Sequence, residues 1–86
     1  MNDVVDSPRA AAFRRLYWRC RRGFLENDLL LQHFLQRDGE SLDDEEMERL
    51  NHLLDCDDPT LWELLSGRAR CEDEGMQQMV ERIRAA

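Results

Sequence analysis

Between two amphipathic helical patterns lies the stretch Arg21-Arg22-Gly23-Phe24-Leu25-Glu26, which decides how the first half of the chain folds. Glycine accepts the left-handed conformation that closes a helix, so Gly23 predicts the end of the first helix. Arg21 and Arg22 stand in its last turn, where cations favour the negative end of the helix dipole. Glu26 follows in the first turn of the next helix, the favourable end for a carboxylate. The stretch therefore predicts two helices joined at Gly23.

Apolar residues recur at helical spacing on both sides of this junction. Ser7 is a candidate cap of the first helix, and Pro8 is tolerated in its first turn. One apolar face of that helix is formed by Phe13, Leu16, Tyr17, Cys20 and Phe24. A second helix is predicted from Leu25 to Arg37. Its apolar face is unusually wide and contains Leu29, Leu30, Leu31, Phe34 and Leu35, which predicts a central position.

Three further helices are predicted downstream. The stretch Ser41-Leu42-Asp43-Asp44 resembles a capping box with Asp in place of Glu. Asp58 is the predicted cap of a fourth helix, with Pro59 at its first position and a stop at Ser66-Gly67. A polar linker, Arg68 to Cys71, precedes a last helix. No segment alternates as a strand does, so the fold class is all-α, a compact bundle of five short helices. Its predicted core is centred on Leu29, Leu30, Phe34, Leu50, Leu54 and Val80.

Length and composition predict one domain. We expect the 86 residues to divide into a flexible leader, residues 1–7, and a single five-helix domain, residues 8–86. No run reaches the ~20 apolar residues that a membrane span needs, and the leader lacks the features of a signal peptide. The three cysteines, Cys20, Cys56 and Cys71, form no close pair, which predicts reduced thiols. We therefore expect a cytoplasmic monomer without a membrane span.

Charge is distributed unevenly along the chain. Six Arg and no acid lie between Arg9 and Arg22, whereas ten acidic residues and one Arg, a balance of −9, lie between Asp38 and Asp58. Two interpretations stay open: the two regions attract each other within the fold, or the basic helix docks a partner.

The sequence gives little support to a metal site or a catalytic site. His52 and Cys56 are four residues apart, and Cys20 and His33 could approach them, but zinc sites usually contain closer pairs. No oxyanion hole or phosphate-binding glycine loop is recognisable. We therefore expect no metal, no catalytic residue and no stably bound cofactor, so the protein is not predicted to be an enzyme.

The arginine-rich first helix could bind nucleic acid, since Tyr17 and Trp18 are interleaved with its six arginines. The acidic remainder would repel a polyanion, so an acidic protein surface is the favoured partner. Trp18 either packs at the edge of the core or is a partly exposed anchor. Arg14 and Arg22, four residues away on each side, favour the exposed position with cation–π contacts.

Two motifs resemble the small succinate dehydrogenase assembly factors, also called FAD assembly factors or flavinators. The family motif R-G-x-x-E is complete as Arg22, Gly23 and Glu26. The second block, L-L-x-C-D-D-P, stands here as Leu53 to Pro59. Other residues that match the pattern are Trp18, Cys20, Arg21, Asp28, Leu61 and Trp62. The resemblance covers about residues 9 to 84, although residues 1–7 and 66–74 match no firm pattern.

The resemblance implies a five-helix protein that binds the flavoprotein subunit of succinate dehydrogenase, and of fumarate reductase as a further partner. It implies that the protein promotes covalent attachment of FAD to a histidine of that subunit and is not itself a stable FAD carrier. Some members have also been labelled antitoxins, which remains an alternative together with nucleic-acid binding. The predicted partner-binding residues are Arg14, Trp18, Arg21, Arg22, Gly23, Glu26 and Asp28.

A mechanism for the junction follows from the resemblance. Gly23 would let the partner backbone approach closely, and Arg22 would offer its planar donors to a partner carboxylate or carbonyl. Glu26 would orient Arg22 or reach the partner itself. The alternative for these three residues is a simple helix stop with an internal Arg–Glu pair.

Overall fold

The computed structural model describes residues 7–86, which form five α-helices. They are α1 Pro8–Arg19, α2 Leu25–Asp38, α3 Asp44–Leu53, α4 Asp58–Leu65 and α5 Glu74–Arg84, with a 3₁₀ turn Gly39–Ser41 between α2 and α3. No β-strand occurs in residues 7–86, so the predicted all-α, five-helix fold is confirmed. The predicted leader, residues 1–7, lies outside the described residues except for Ser7. None of the described helices is long and apolar enough to cross a membrane.

Two helix limits fall where the sequence predicted them. The Ser7 hydroxyl accepts a hydrogen bond from the Ala10 amide at 3.0 Å, so Ser7 caps α1. At the other limit, α4 ends at Leu65 with Ser66 as its cap, and the following Gly67 has a φ of +88°. Residues with a side chain rarely adopt this left-handed backbone conformation, which explains why glycine occupies the position.

The cap of α3 lies two residues later than predicted. Asp43 accepts a hydrogen bond from the Glu46 amide at 2.7 Å, and the Glu46 carboxylate accepts one from the Asp43 amide at 2.9 Å. This is a complete capping box. The predicted box from Ser41 to Asp44 is wrong because Ser41 lies in the 3₁₀ turn, where its hydroxyl donates to the Asp38 carbonyl.

The cap of α4 lies one residue earlier than predicted. Asp57 accepts from the Thr60 amide at 2.8 Å, so α4 begins at Asp58 and Pro59 takes its second position. The prediction that Asp58 is the cap is therefore wrong. The Asp58 carboxylate is left to bind another part of the chain.

The core forms where α2 packs against α4 and α5, while α5 also packs against α3 and α4 and α1 packs against α3. Four of the predicted core residues are at most 2% exposed: Phe34, Leu50, Leu54 and Val80. The prediction is wrong for Leu29, which is 50% exposed, and Leu30 is only partly buried. Leu31 is fully buried instead. A run of three leucines does not determine which of them faces inward, and the packing of α2 makes that choice.

Candidate functional site

The backbone turns between α1 and α2 at Gly23, which has a φ of +82°. A side-chain Cβ built there would meet no atom within 4 Å, so glycine is needed for its backbone conformation and not for space. The Asp28 carboxylate accepts hydrogen bonds from the amides of Arg22 at 2.9 Å and of Gly23 at 3.1 Å. Asp28 was predicted to bind a partner, but its carboxylate holds this turn in place.

The Arg22 guanidinium joins this turn to the loop between α3 and α4. Its Nε donates to Asp58 Oδ1 at 2.5 Å, its Nη1 to the Leu54 carbonyl at 2.8 Å, and its Nη2 to the Cys56 carbonyl at 2.5 Å. Only 15% of the Arg22 side chain is exposed. These three donors have acceptors within the chain, whereas the role of Arg22 in binding a partner stays a prediction. The alternative of an internal pair with Glu26 is corrected, because the carboxylate that Arg22 binds belongs to Asp58.

Asn27 belongs to the same network, although the sequence analysis did not single it out. It is fully buried, and its Nδ2 donates to the carbonyl of Asp58 at 3.1 Å and to Asp58 Oδ1 at 3.3 Å. Its Oδ1 has no hydrogen-bond partner among the described residues. The spacing of Asn27 with the buried Leu31 and Phe34, four and seven residues later, was the signal that could have placed it on the inner face of α2.

Trp18 and Arg21 are exposed on the first-helix side of the junction. Trp18 is 63% exposed, as the favoured prediction had it. The Arg21 guanidinium lies 5.7 Å from the centroid of the Trp18 ring, and the Tyr17 ring meets that of Trp18 edge-on at 5.6 Å. The predicted cation–π neighbours of Trp18 were Arg14 and Arg22, whereas Arg21, two residues beyond the end of α1, is the cation seen over its ring.

The second-helix side of the junction also presents apolar groups. Leu25 is 68% exposed and Leu29 is 50% exposed, and with Trp18 they are the large apolar side chains most exposed among the described residues. The exposed Glu26 carboxylate has no hydrogen bond or ion pair with residues 7–86. These exposed residues flank the turn along the chain, and we call the set Trp18, Arg21, Leu25, Glu26 and Leu29 the junction face.

Several arginines of α1 bind the acidic middle of the chain. Arg9 donates to the Glu40 carbonyl at 3.1 Å, and Arg19 donates to Asn51 Oδ1 at 2.7 Å and to Asp55 Oδ1 at 2.8 Å. For Arg9 and Arg19 the structure supports the interpretation that the basic helix and the acidic middle of the chain attract each other within the fold. Arg14, a predicted partner-binding residue, is exposed on the same helix.

The thiols and imidazoles do not form an obvious reaction centre. All three cysteines are free, and Cys20 is fully buried. Burial raises the pKa of the Cys20 thiol to about 12, against the smaller opposing effects of Arg22 and Arg19, which makes it a poor nucleophile. His33 and His52 are exposed. Among residues 7–86 no three His, Cys, Asp or Glu side chains are grouped so that they could hold a metal ion.

Fold and junction together define a small helical protein with an internally fixed helix turn beside an exposed aromatic and aliphatic face. Residues 14–86 match the family described as flavinator of succinate dehydrogenase, and the chain belongs to that family. It is 40% identical over 67 residues to the FAD assembly factor SdhE of Idiomarina loihiensis, covering 78% of this chain and 74% of that protein.

Two other relatives carry the same name. The FAD assembly factor SdhE of Vibrio cholerae is 39% identical over 69 residues, which are 80% of each chain. That of Coxiella burnetii is 38% identical over 72 residues, which are 84% of this chain and 88% of that protein. No solved structure matches the chain significantly.

Proposed function

We propose that this chain is an FAD assembly factor that binds the flavoprotein subunit of succinate dehydrogenase and promotes covalent attachment of FAD to a histidine of that subunit. Family membership gives the class of function. The observation that carries the site is the junction face: Trp18 and Leu25 are more than half exposed next to a turn that Arg22 and Asp28 fix from within. Exposed large apolar residues on a rigid support are typical anchors of a protein interface.

The proposed mechanism needs no chemistry from this chain. Attachment of a flavin is carried out largely by the flavin and its host site, so a helper protein needs only to favour the competent conformation of the host. The junction suits this role because its conformation is fixed before binding, which lowers the cost of ordering it in a complex. Glu26 can then reach a donor of the partner without competition from within the described part of the chain.

We also propose that the chain is not an enzyme, holds no FAD of its own, works as a monomer in the cytoplasm and serves fumarate reductase as well. Isolated glycines without a phosphate-binding pattern support the absence of a flavin site of its own. Nucleic-acid binding is less well supported, because Arg9, Arg19 and Arg22 have acceptors within the chain. No observation favours an antitoxin role.

The test is co-expression of each variant with a succinate dehydrogenase flavoprotein subunit, followed by in-gel flavin fluorescence of the denatured subunit. Trp18→Ala and Glu26→Ala should lower covalent flavin by about tenfold or more, as loss of an interface anchor does. The matched control is Glu48→Ala, since Glu48 is exposed on α3 and its carboxylate has no partner in residues 7–86. It should behave as wild type. Normal flavinylation by a folded Trp18→Ala, Glu26→Ala double variant would overturn the proposed site.

A further inference from the structure

Two of the three cysteines line one cavity. Cys56 lies in the loop between α3 and α4, and Cys71 lies in the loop between α4 and α5. Both are partly buried, both are free, and both line a cavity of about 340 Å³ whose apolar walls include Leu64 and Met76. Cys20, by contrast, is fully buried and does not line this cavity.

We propose that Cys56 and Cys71 form a redox-active dithiol, which a peroxide converts into an intramolecular disulfide across this cavity. Two thiols can condense only where their sulfurs are able to meet, and Cys56 and Cys71 line the same cavity. Burial, and next the neighbouring Cys56, raise the pKa of the Cys71 thiol, so the two groups are close enough to interact electrostatically. A raised pKa lowers the thiolate fraction of Cys71, which suits Cys71 to the second step of the reaction.

The reaction balances with a peroxide as the oxidant. The Cys56 thiolate attacks one peroxide oxygen, the O–O bond breaks, and the second oxygen leaves as water with the proton released from the thiol. Cys56 is then a sulfenic acid. The Cys71 sulfur attacks the Cys56 sulfur, the S–S bond forms, the S–O bond breaks, and a second water carries away the Cys71 proton. Two thiols are oxidised by two electrons, and hydrogen peroxide is reduced to two waters.

The disulfide would act on the junction through the backbone. The Cys56 carbonyl accepts from Arg22 Nη2, and the two other acceptors of Arg22 are two residues away on each side, at Leu54 and Asp58. Drawing Cys56 toward Cys71 displaces the loop that holds Arg22. Oxidation should therefore loosen the turn that supports the junction face. This effect on the partner rests on the proposed function, whereas the disulfide itself does not.

The thiol pair is tested on the reduced full chain with hydrogen peroxide under native conditions, followed by alkylation and peptide mapping. We expect a monomer with Cys56 linked to Cys71 and with Cys20 unmodified. Cys20→Ser, the matched control, should keep the link. Cys71→Ser should stop at a Cys56 sulfenic acid that dimedone traps. Three results would overturn the pair. They are a disulfide that contains Cys20, linked dimers without the internal disulfide, and equal oxidation of each thiol with no disulfide between them.

The coupling to Arg22 is tested by NMR and by flavinylation. The Nε–H resonance of Arg22 should shift on oxidation, return on reduction with dithiothreitol, and stay in place in peroxide-treated Cys71→Ser. The oxidised chain should raise covalent flavin several-fold less than the reduced chain. A mapped disulfide with an unmoved Arg22 resonance and unchanged flavinylation would overturn the coupling. Failure of the reduced wild type to raise covalent flavin would instead count against the proposed function, because the peptide map does not depend on it.

Discussion

Arg22 binds Asp58 across 36 positions of sequence, with Arg22 Nε 2.5 Å from Asp58 Oδ1. The same guanidinium binds the carbonyls of Leu54 and Cys56. All three acceptors lie in the block Leu53 to Pro59, and Arg22 lies in the R-G-x-x-E motif. The two sequence blocks that carry the family resemblance are therefore one structural unit, in which the second block fixes the turn of the first.

Replacement of Arg22 by Ala should destabilise the protein. It removes three charge-assisted hydrogen bonds and leaves the partly buried Asp58 carboxylate without its cation, which should cost about 2–4 kcal/mol in the free energy of unfolding. Urea unfolding followed by circular dichroism measures this. Arg15→Ala is the control, since Arg15 is exposed and its side chain has no partner in residues 7–86. Equal stability of the two variants would contradict the internal role of Arg22.

Gly23→Ala should strain the backbone without a steric clash. The left-handed conformation at a φ of +82° costs a residue with a Cβ about 1–2 kcal/mol, while the space around that Cβ is open. Gly23→Asn should cost less, because asparagine tolerates this conformation. The melting temperatures of the two variants measure the difference. If Asn were worse than Ala, the cost would have to come from size and not from backbone conformation.

The choice between inner and outer residues of α2 can be tested with two alanine variants. Phe34 is fully buried, so Phe34→Ala should cost about 3–5 kcal/mol in the free energy of unfolding. Leu29 is half exposed, so Leu29→Ala should cost less than about 1 kcal/mol. Chemical unfolding of both variants makes the comparison. A large loss of stability in Leu29→Ala would mean that α2 is rotated from the orientation described.

Burial of Cys20 should make stability depend on pH in the alkaline range. Burial raises its pKa from 9.0 to about 12, so the folded state keeps the proton that the unfolded state loses. The stabilisation is complete below about pH 9 and is lost as pH rises toward 12, by at most about 1.4 kcal/mol per pH unit. Urea unfolding of wild type and Cys20→Ala between about pH 8 and 10 tests this. Parallel slopes for the two proteins would contradict the shift.

Local sequence patterns were enough to predict the helices and several of their ends. Ser7 caps α1 and Gly67 takes a left-handed conformation directly after the cap of α4, because capping depends on a few neighbouring residues. The predicted end of the first helix at Gly23, with Arg21 and Arg22 in its last turn, is wrong: α1 ends at Arg19, and Gly23 lies in the turn that follows. The two motif blocks also sufficed to suggest the family. Where two local signals competed, as Asp57 did with Asp58 for the cap of α4, the sequence could not rank them.

The packing of the helices against one another determines which side chains are buried and which donor meets which acceptor. Helical spacing allowed any of the three leucines from Leu29 to Leu31 to face the core, and the packing of α2 against α4 and α5 turned Leu31 inward. The same packing buried Asn27 and brought Asp58 to Arg22. Contacts between residues more than 30 positions apart depend on how whole helices are oriented, and the local periodicity of a sequence does not contain that information.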